Sequence, residues 1–126
     1  MSTEKDIKIL VVDDFSATRV ILINYLRKLG YRNTFVAEDG FSALVRLKSS
    51  LFDLVVTDCN MSVMSGLDLL KQIRNDSDLK HIPVLMVTPE EFRCNIVTAI
   101  KAGLNDYIIR PFEEHTFKKK LEKIIV

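Results

Sequence analysis

The chain has 126 residues, 28% of them charged, and a net charge of +1. That length holds one domain with a full core, and so even a charge balance gives no strong field toward nucleic acid or an anionic membrane. Two cysteines, Cys59 and Cys94, stand at no metal-ligand spacing, which argues against a disulfide framework or a zinc site.

No run reaches membrane-spanning length, and the polar start Met1 to Asp6 is unlike a signal peptide. The expectation is a soluble, cytoplasmic monomer, a single stand-alone domain over 1–126.

Ile7 to Val12 reads as a strand. From Ser16 to Leu29 the residues Ile21, Leu22, Tyr25, Leu26 and Leu29 make one helix face, which Gly30 closes. Thr34 to Ala37 is a short second strand. Asp39 and Gly40 turn the chain into a helix carrying Ala43, Leu44 and Leu47. Phe52 to Thr57 is the third strand, an apolar run of the kind buried on both faces. A loop from Asn60 to Gly66 leads into a helix with Leu67, Leu69, Leu70 and Ile73.

Pro83 precedes a fourth strand, Val84 to Val87, a position at which proline is tolerated. Pro89, Glu90 and Glu91 suit a first helical turn. Phe92, Ile96, Val97, Ala99 and Ile100 continue that helix to Gly103. Tyr107 to Ile109 is the fifth strand, stopped by Arg110 and Pro111. A last helix begins near Glu114, with Phe117, Leu121, Ile124 and Ile125 inward and Lys118 to Lys120 as a solvated face. This alternation implies a parallel sheet with right-handed crossovers and helices on both faces, a doubly wound α/β fold.

In such a sheet the ligand crevice lies at the carboxyl ends of the strands. Asp13 and Asp14 follow the first strand, Asp58 the third, Thr88 the fourth and Arg110 the fifth. Neighbouring carboxylates a few ångströms apart repel by roughly 1–4 kcal/mol per pair at surface-like dielectric constants. They therefore share a proton or take up a cation, and an open all-oxygen site suits Mg²⁺.

Taken singly, Asp13 and Asp14 also suit a loop and helix cap, Thr88 a turn, and Arg110 a surface charge. Their common edge points instead to phosphoryl chemistry, with a carboxylate attacking phosphorus beside a metal. No glycine-rich phosphate loop follows the first strand. Neither His81 nor His115 is placed to serve a hydrolase triad.

Val11-Val12-Asp13-Asp14, the lone Asp58, Val87-Thr88 and Arg110-Pro111-Phe112 resemble the receiver domain of two-component response regulators, over nearly the whole chain. The likeness is greatest to the single-domain chemotaxis members. It implies a flavodoxin-like five-stranded sheet of order 2-1-3-4-5. It also implies a phosphorylation-dependent switch that is not an enzyme beyond its own phosphotransfer and dephosphorylation.

By the same resemblance Asp58 accepts a phosphoryl group from a histidine kinase. Asp14, Asp58 and the backbone carbonyl of Asn60 hold Mg²⁺, and Asp13 acts through a water. Thr88 closes on the phosphoryl group and Tyr107 rotates as the switch. The downstream partner is then a protein such as a flagellar motor switch component. The alternative is a pseudo-receiver or phosphate sink that binds protein constitutively.

Three residues depart from the family pattern: Arg110 stands where lysine is expected, Ser62 where proline is usual, and Pro89 directly follows Thr88. Arg110 is expected to pair with Asp58 at rest, with an arginine fork able to make two parallel bonds to one carboxylate.

Overall fold

The computed structural model describes residues 6–88 and 96–125. Five strands, β1 (Lys8–Val12), β2 (Asn33–Ala37), β3 (Leu54–Asp58), β4 (Val84–Thr88) and β5 (Asp106–Ile109), alternate with five helices. These are α1 (Ser16–Lys28), α2 (Gly40–Ser49), α3 (Gly66–Arg74), α4 (Ile96–Lys101) and α5 (Glu114–Ile125). All strand pairings are parallel and the order is β2-β1-β3-β4-β5, as expected. The helix start expected at Pro89, Glu90 and Glu91, and Phe92 with it, lies outside the described residues.

Successive residues on a strand face opposite sides, so each central strand feeds two cores. Ile9, Val11, Leu54, Val56, Leu85 and Val87 pack with Leu22, Leu26, Phe117 and Leu121 of α1 and α5. Leu10, Val12, Val55, Val84 and Met86 pack with Ala43, Leu47, Leu69, Leu70 and Ile73 of α2 and α3 and with Ala99 of α4. Each of these side chains other than the alanines stabilises the fold by about 1.5–3 kcal/mol through burial. The unbroken apolar runs in the sequence are the mark of this two-sided burial.

Several boundaries differ from the sequence expectation. The third strand starts at Leu54 rather than Phe52, which lies before it and stands edge-on to Phe35 at 5.7 Å in the α2/α3 core. It extends through Asp58, which pairs in register with Val87. β4 likewise runs on to Thr88, β2 begins at Asn33 and β5 at Asp106.

Ile21, expected on the inner face of α1, is 51% exposed while Leu22 beside it is buried. The buried stripe of α1 is narrow, carried by Leu22 and Leu26. Ile21 instead lines an open groove of about 500 Å³ with Thr18, Tyr25, Arg110, Pro111 and Phe112. In α5, Lys118 and Lys119 are exposed, but Lys120 departs from the solvated-face reading. It pairs with Asp106 at 2.9 Å and lies 5.4 Å from the Tyr107 ring centroid.

At the amino end of the sheet, Arg74 of α3 acts as a staple. Its Nε donates to the Gly103 carbonyl at 2.9 Å, Nη1 to those of Lys80 and Ile82 at 3.1 and 2.7 Å, and Nη2 to Asn105 Oδ1 at 2.8 Å. Asn105 Oδ1 also accepts from the Val84 amide at 2.9 Å. The start of β4 and the turn before β5 are thereby tied to one side chain.

Candidate functional site

β1 and β3 are adjacent, so the chain leaving β1 and the last residue of β3 meet at the carboxyl edge. Asp13, Asp14 and Asp58 each bring an oxygen to within 4.8 Å of the others. Asp13 and Asp58 are almost fully buried and Asp14 is half-buried.

Each of the first two carboxylates has one oxygen committed to the backbone and one left over. Asp13 Oδ1 accepts from the Phe15 amide at 2.9 Å, and Asp14 Oδ2 from the Ser62 amide at 3.1 Å. Asp13 Oδ2 and Asp14 Oδ1 are buried with no hydrogen-bond partner. Unpaired buried oxygens are costly. Their convergence on a third carboxylate is what an oxygen-coordinated cation relieves, so the donor set fits Mg²⁺.

The loop reading of Asp13 is thus half right: one oxygen makes a local turn and the other serves the cluster. Ser62 matters more than its exposed position implies. A proline there has no N–H to give Asp14.

Asp58 Oδ1 accepts from the Cys59 amide at 2.9 Å and from Arg110 Nη2 at 3.3 Å. Burial first, and then the charge of Asp13, push the Asp58 carboxyl up to about 6, against the opposing pull of Arg110 and the Cys59 and Asn60 amides. Burial also raises Asp13 above the ordinary carboxylate range.

Gly66, the first residue of α3, has no side chain because none fits: a Cβ there would collide with the Asp58 carbonyl and sit 2.8 Å from Cys59 Cα. α3 is therefore packed directly against the end of β3. The loop between them holds Val63 at a φ of 71°, a left-handed conformation unusual for a β-branched residue. Asn60 lies in this loop and is exposed.

Arg110 reaches the acidic edge as expected, but its fork does not close on Asp58. One limb goes to Asp58, and Nη1 donates to Thr18 Oγ1 of α1 at 3.3 Å, while Nε is buried without a partner. Thr88 is fully buried, and its hydroxyl accepts from Cys59 Sγ at 3.2 Å. Tyr107 stands apart from the carboxylates. It is half-buried in the wall of a cavity of about 620 Å³ with Pro111, Phe112, Thr116 and Lys120.

The sequence expectation missed Thr18 and Cys59, whose contacts cross between elements. It also missed Arg19, which donates to the Asp13 carbonyl at 2.6 Å.

The family model for the response regulator receiver domain matches residues 9–122, which include all of these side chains. The chain belongs to the receiver domain family. Over 120 residues the receiver is 56% identical to chemotaxis protein CheY-3 of Vibrio cholerae, covering 95% of this chain and 92% of that one. It is 53% identical over 117 residues to chemotaxis protein CheY of Pseudomonas aeruginosa, covering 93% and 94%.

Among solved structures, V. cholerae CheY4 superposes with a TM-score of 0.86 at 31% identity, covering 94% of this chain and 98% of that one. A sensor histidine kinase receiver from P. aeruginosa, with magnesium coordinated in its active-site cleft, gives 0.86 at 26% identity, covering 95% and 98%.

The receiver is thus a close relative of the chemotaxis regulators and a phosphorylation-dependent signalling switch. The reading as a pseudo-receiver or phosphate sink is not favoured. Receivers are signalling proteins rather than enzymes with a separate substrate, and the family implies a histidine kinase donor and a downstream partner. No helix among the described residues is long and apolar enough to cross a membrane.

Proposed function

We propose that Asp58 is the phosphoacceptor and that the receiver acts in the cytoplasm, as a monomer, in chemotaxis. A carboxylate oxygen of Asp58 attacks phosphorus of the kinase phosphohistidine. The P–N bond breaks, an acyl phosphate forms, and the imidazole leaves with its electron pair and takes up a proton. Asp14, Asp58 and the Asn60 carbonyl would hold Mg²⁺, and Asp13 would act through a water. When bound, the ion neutralises the charge gathering on the phosphoryl oxygens. Arg110 supplies a second positive group at the same edge.

The observation that carries this reading is the partnerless buried oxygen on each of Asp13 and Asp14, in a cluster where both approach Asp58. Thr88 then exchanges its Cys59 contact for a phosphoryl oxygen, and Tyr107 moves in response. The surface around β5 and α5 changes with it, and a flagellar motor switch protein is the proposed reader. This is a two-state element biased by a local charge. Its further chemistry is limited to hydrolysis of its own acyl phosphate.

Acetyl phosphate with Mg²⁺ is expected to add one phosphoryl mass to the protein and none to Asp58→Asn. An unchanged mass gain in Asp58→Asn would place the acceptor elsewhere.

A further inference from the structure

We propose that Thr18 is a positioning residue that holds the Arg110 fork open and so keeps Asp58 available to metal and phosphoryl group. The inference rests on the reading of Asp58 as phosphoacceptor and names how this chain accommodates arginine at the end of β5. An arginine beside a carboxylate gains most by giving both terminal nitrogens to the two carboxylate oxygens in parallel. In that arrangement both Asp58 oxygens face a cation that cannot leave as readily as a hydrated ion.

The structure shows a different arrangement. Nη2 reaches Asp58 Oδ1 at 3.3 Å, while Nη1 is drawn across to Thr18 Oγ1 at 3.3 Å. Oδ1 also receives the Cys59 amide, so that amide and the guanidinium share one oxygen.

The hydroxyl is needed because the Arg110 side chain is only 28% exposed and its Nε already lacks a partner. A second unsatisfied N–H in the same group would be costly, so without Thr18 Oγ1 the Nη1 limb turns to an acceptor within reach. We take that acceptor to be the second Asp58 oxygen, on the carboxylate that Nη2 already touches. Thr18 sits in the first turn of α1, on the wall of the groove that Arg110 shares with Ile21 and Tyr25, where α1 fixes its position. Lysine in place of Arg110 has no second limb to divert, so the role of Thr18 exists only beside arginine.

The test is Mg²⁺ affinity without any phosphodonor, measured by calorimetry on the full chain. Thr18→Val keeps the shape and removes the acceptor. It is expected to weaken Mg²⁺ binding about two- to tenfold, the equivalent of one modest hydrogen bond, and to slow acetyl phosphate labelling in proportion. Thr18→Ser restores the hydroxyl and is expected to behave as the natural protein. In an Arg110→Lys background, Thr18→Val is expected to change nothing.

Unchanged or tighter metal binding in Thr18→Val overturns the proposal. So does an equal loss in the lysine background, or failure of serine to rescue. Labelling of the natural protein in parallel reports on Asp58 itself, so a failure of the phosphoacceptor reading would be seen separately.

Discussion

At Arg110 and Asp58 the outcome turns on single hydrogen bonds. Arg110 holds Asp58 by one long contact, so exchange for a point charge should loosen that hold without unfolding anything. Arg110→Lys is expected to be phosphorylated about two- to tenfold faster with the same donor and Mg²⁺, at nearly unchanged stability. Equal or slower labelling of the lysine variant would make arginine a full working substitute.

Asp58 itself is held above its ordinary value, near 6, chiefly by burial. The folded protein therefore binds this proton more tightly than the unfolded chain does. Without metal, stability should rise as pH falls from 7 to about 5, and the advantage is lost as pH rises through 6. Asp58→Asn removes the buried charge. It is expected to stabilise the metal-free fold at pH 7 by on the order of 1–3 kcal/mol and to flatten the pH dependence. A loss above about 1 kcal/mol in chemical denaturation would make the acidic cluster a structural element instead.

At the scale of elements, the loop from β3 to α3 carries the strain. Gly66 lets α3 seat against the end of β3, and Val63 takes a left-handed turn to get there. Such a conformation costs an L-residue roughly 1–2 kcal/mol, less for asparagine. Val63→Asn is therefore expected to raise the denaturation midpoint by the equivalent of about 1 kcal/mol, and a lowered midpoint would show that no strain is stored there.

The elements themselves were legible because burial on both faces leaves unbroken apolar runs such as Leu54 to Val56, ended by an acid. The edge residues Asp13, Asp14, Asp58, Thr88 and Arg110 were legible for the same reason, each being where such a run stops. Contacts made between elements left no trace in the sequence. Thr18 is simply one more polar residue in a first turn until α1 is set beside β5, and the Ser62 amide carries no side-chain signal at all. Ile21 misled because helical period marks a face but not its width.

At the scale of the whole molecule, the strand order followed from family likeness rather than from periodicity, which marks a strand but not its neighbours. The two ends of the sheet are also unlike. The carboxyl end collects unpartnered polar atoms, whereas at the amino end Arg74 spends its nitrogens on Gly103, Lys80, Ile82 and Asn105. That staple ties α3, the start of β4 and the turn before β5 together at the end opposite the acidic edge. Native-state hydrogen exchange should record the difference as two clocks. The Val84 and Asn105 amides, bonded to Asn105 Oδ1 and the Val84 carbonyl, are expected to exchange only through global opening. The Ser62 amide is expected to exchange through local opening. Arg74→Ala should move Val84 and Asn105 to the fast clock and leave Ser62 where it was. With that tie removed the two clocks should merge into one, and the sheet would keep no slow end against which its acidic edge opens.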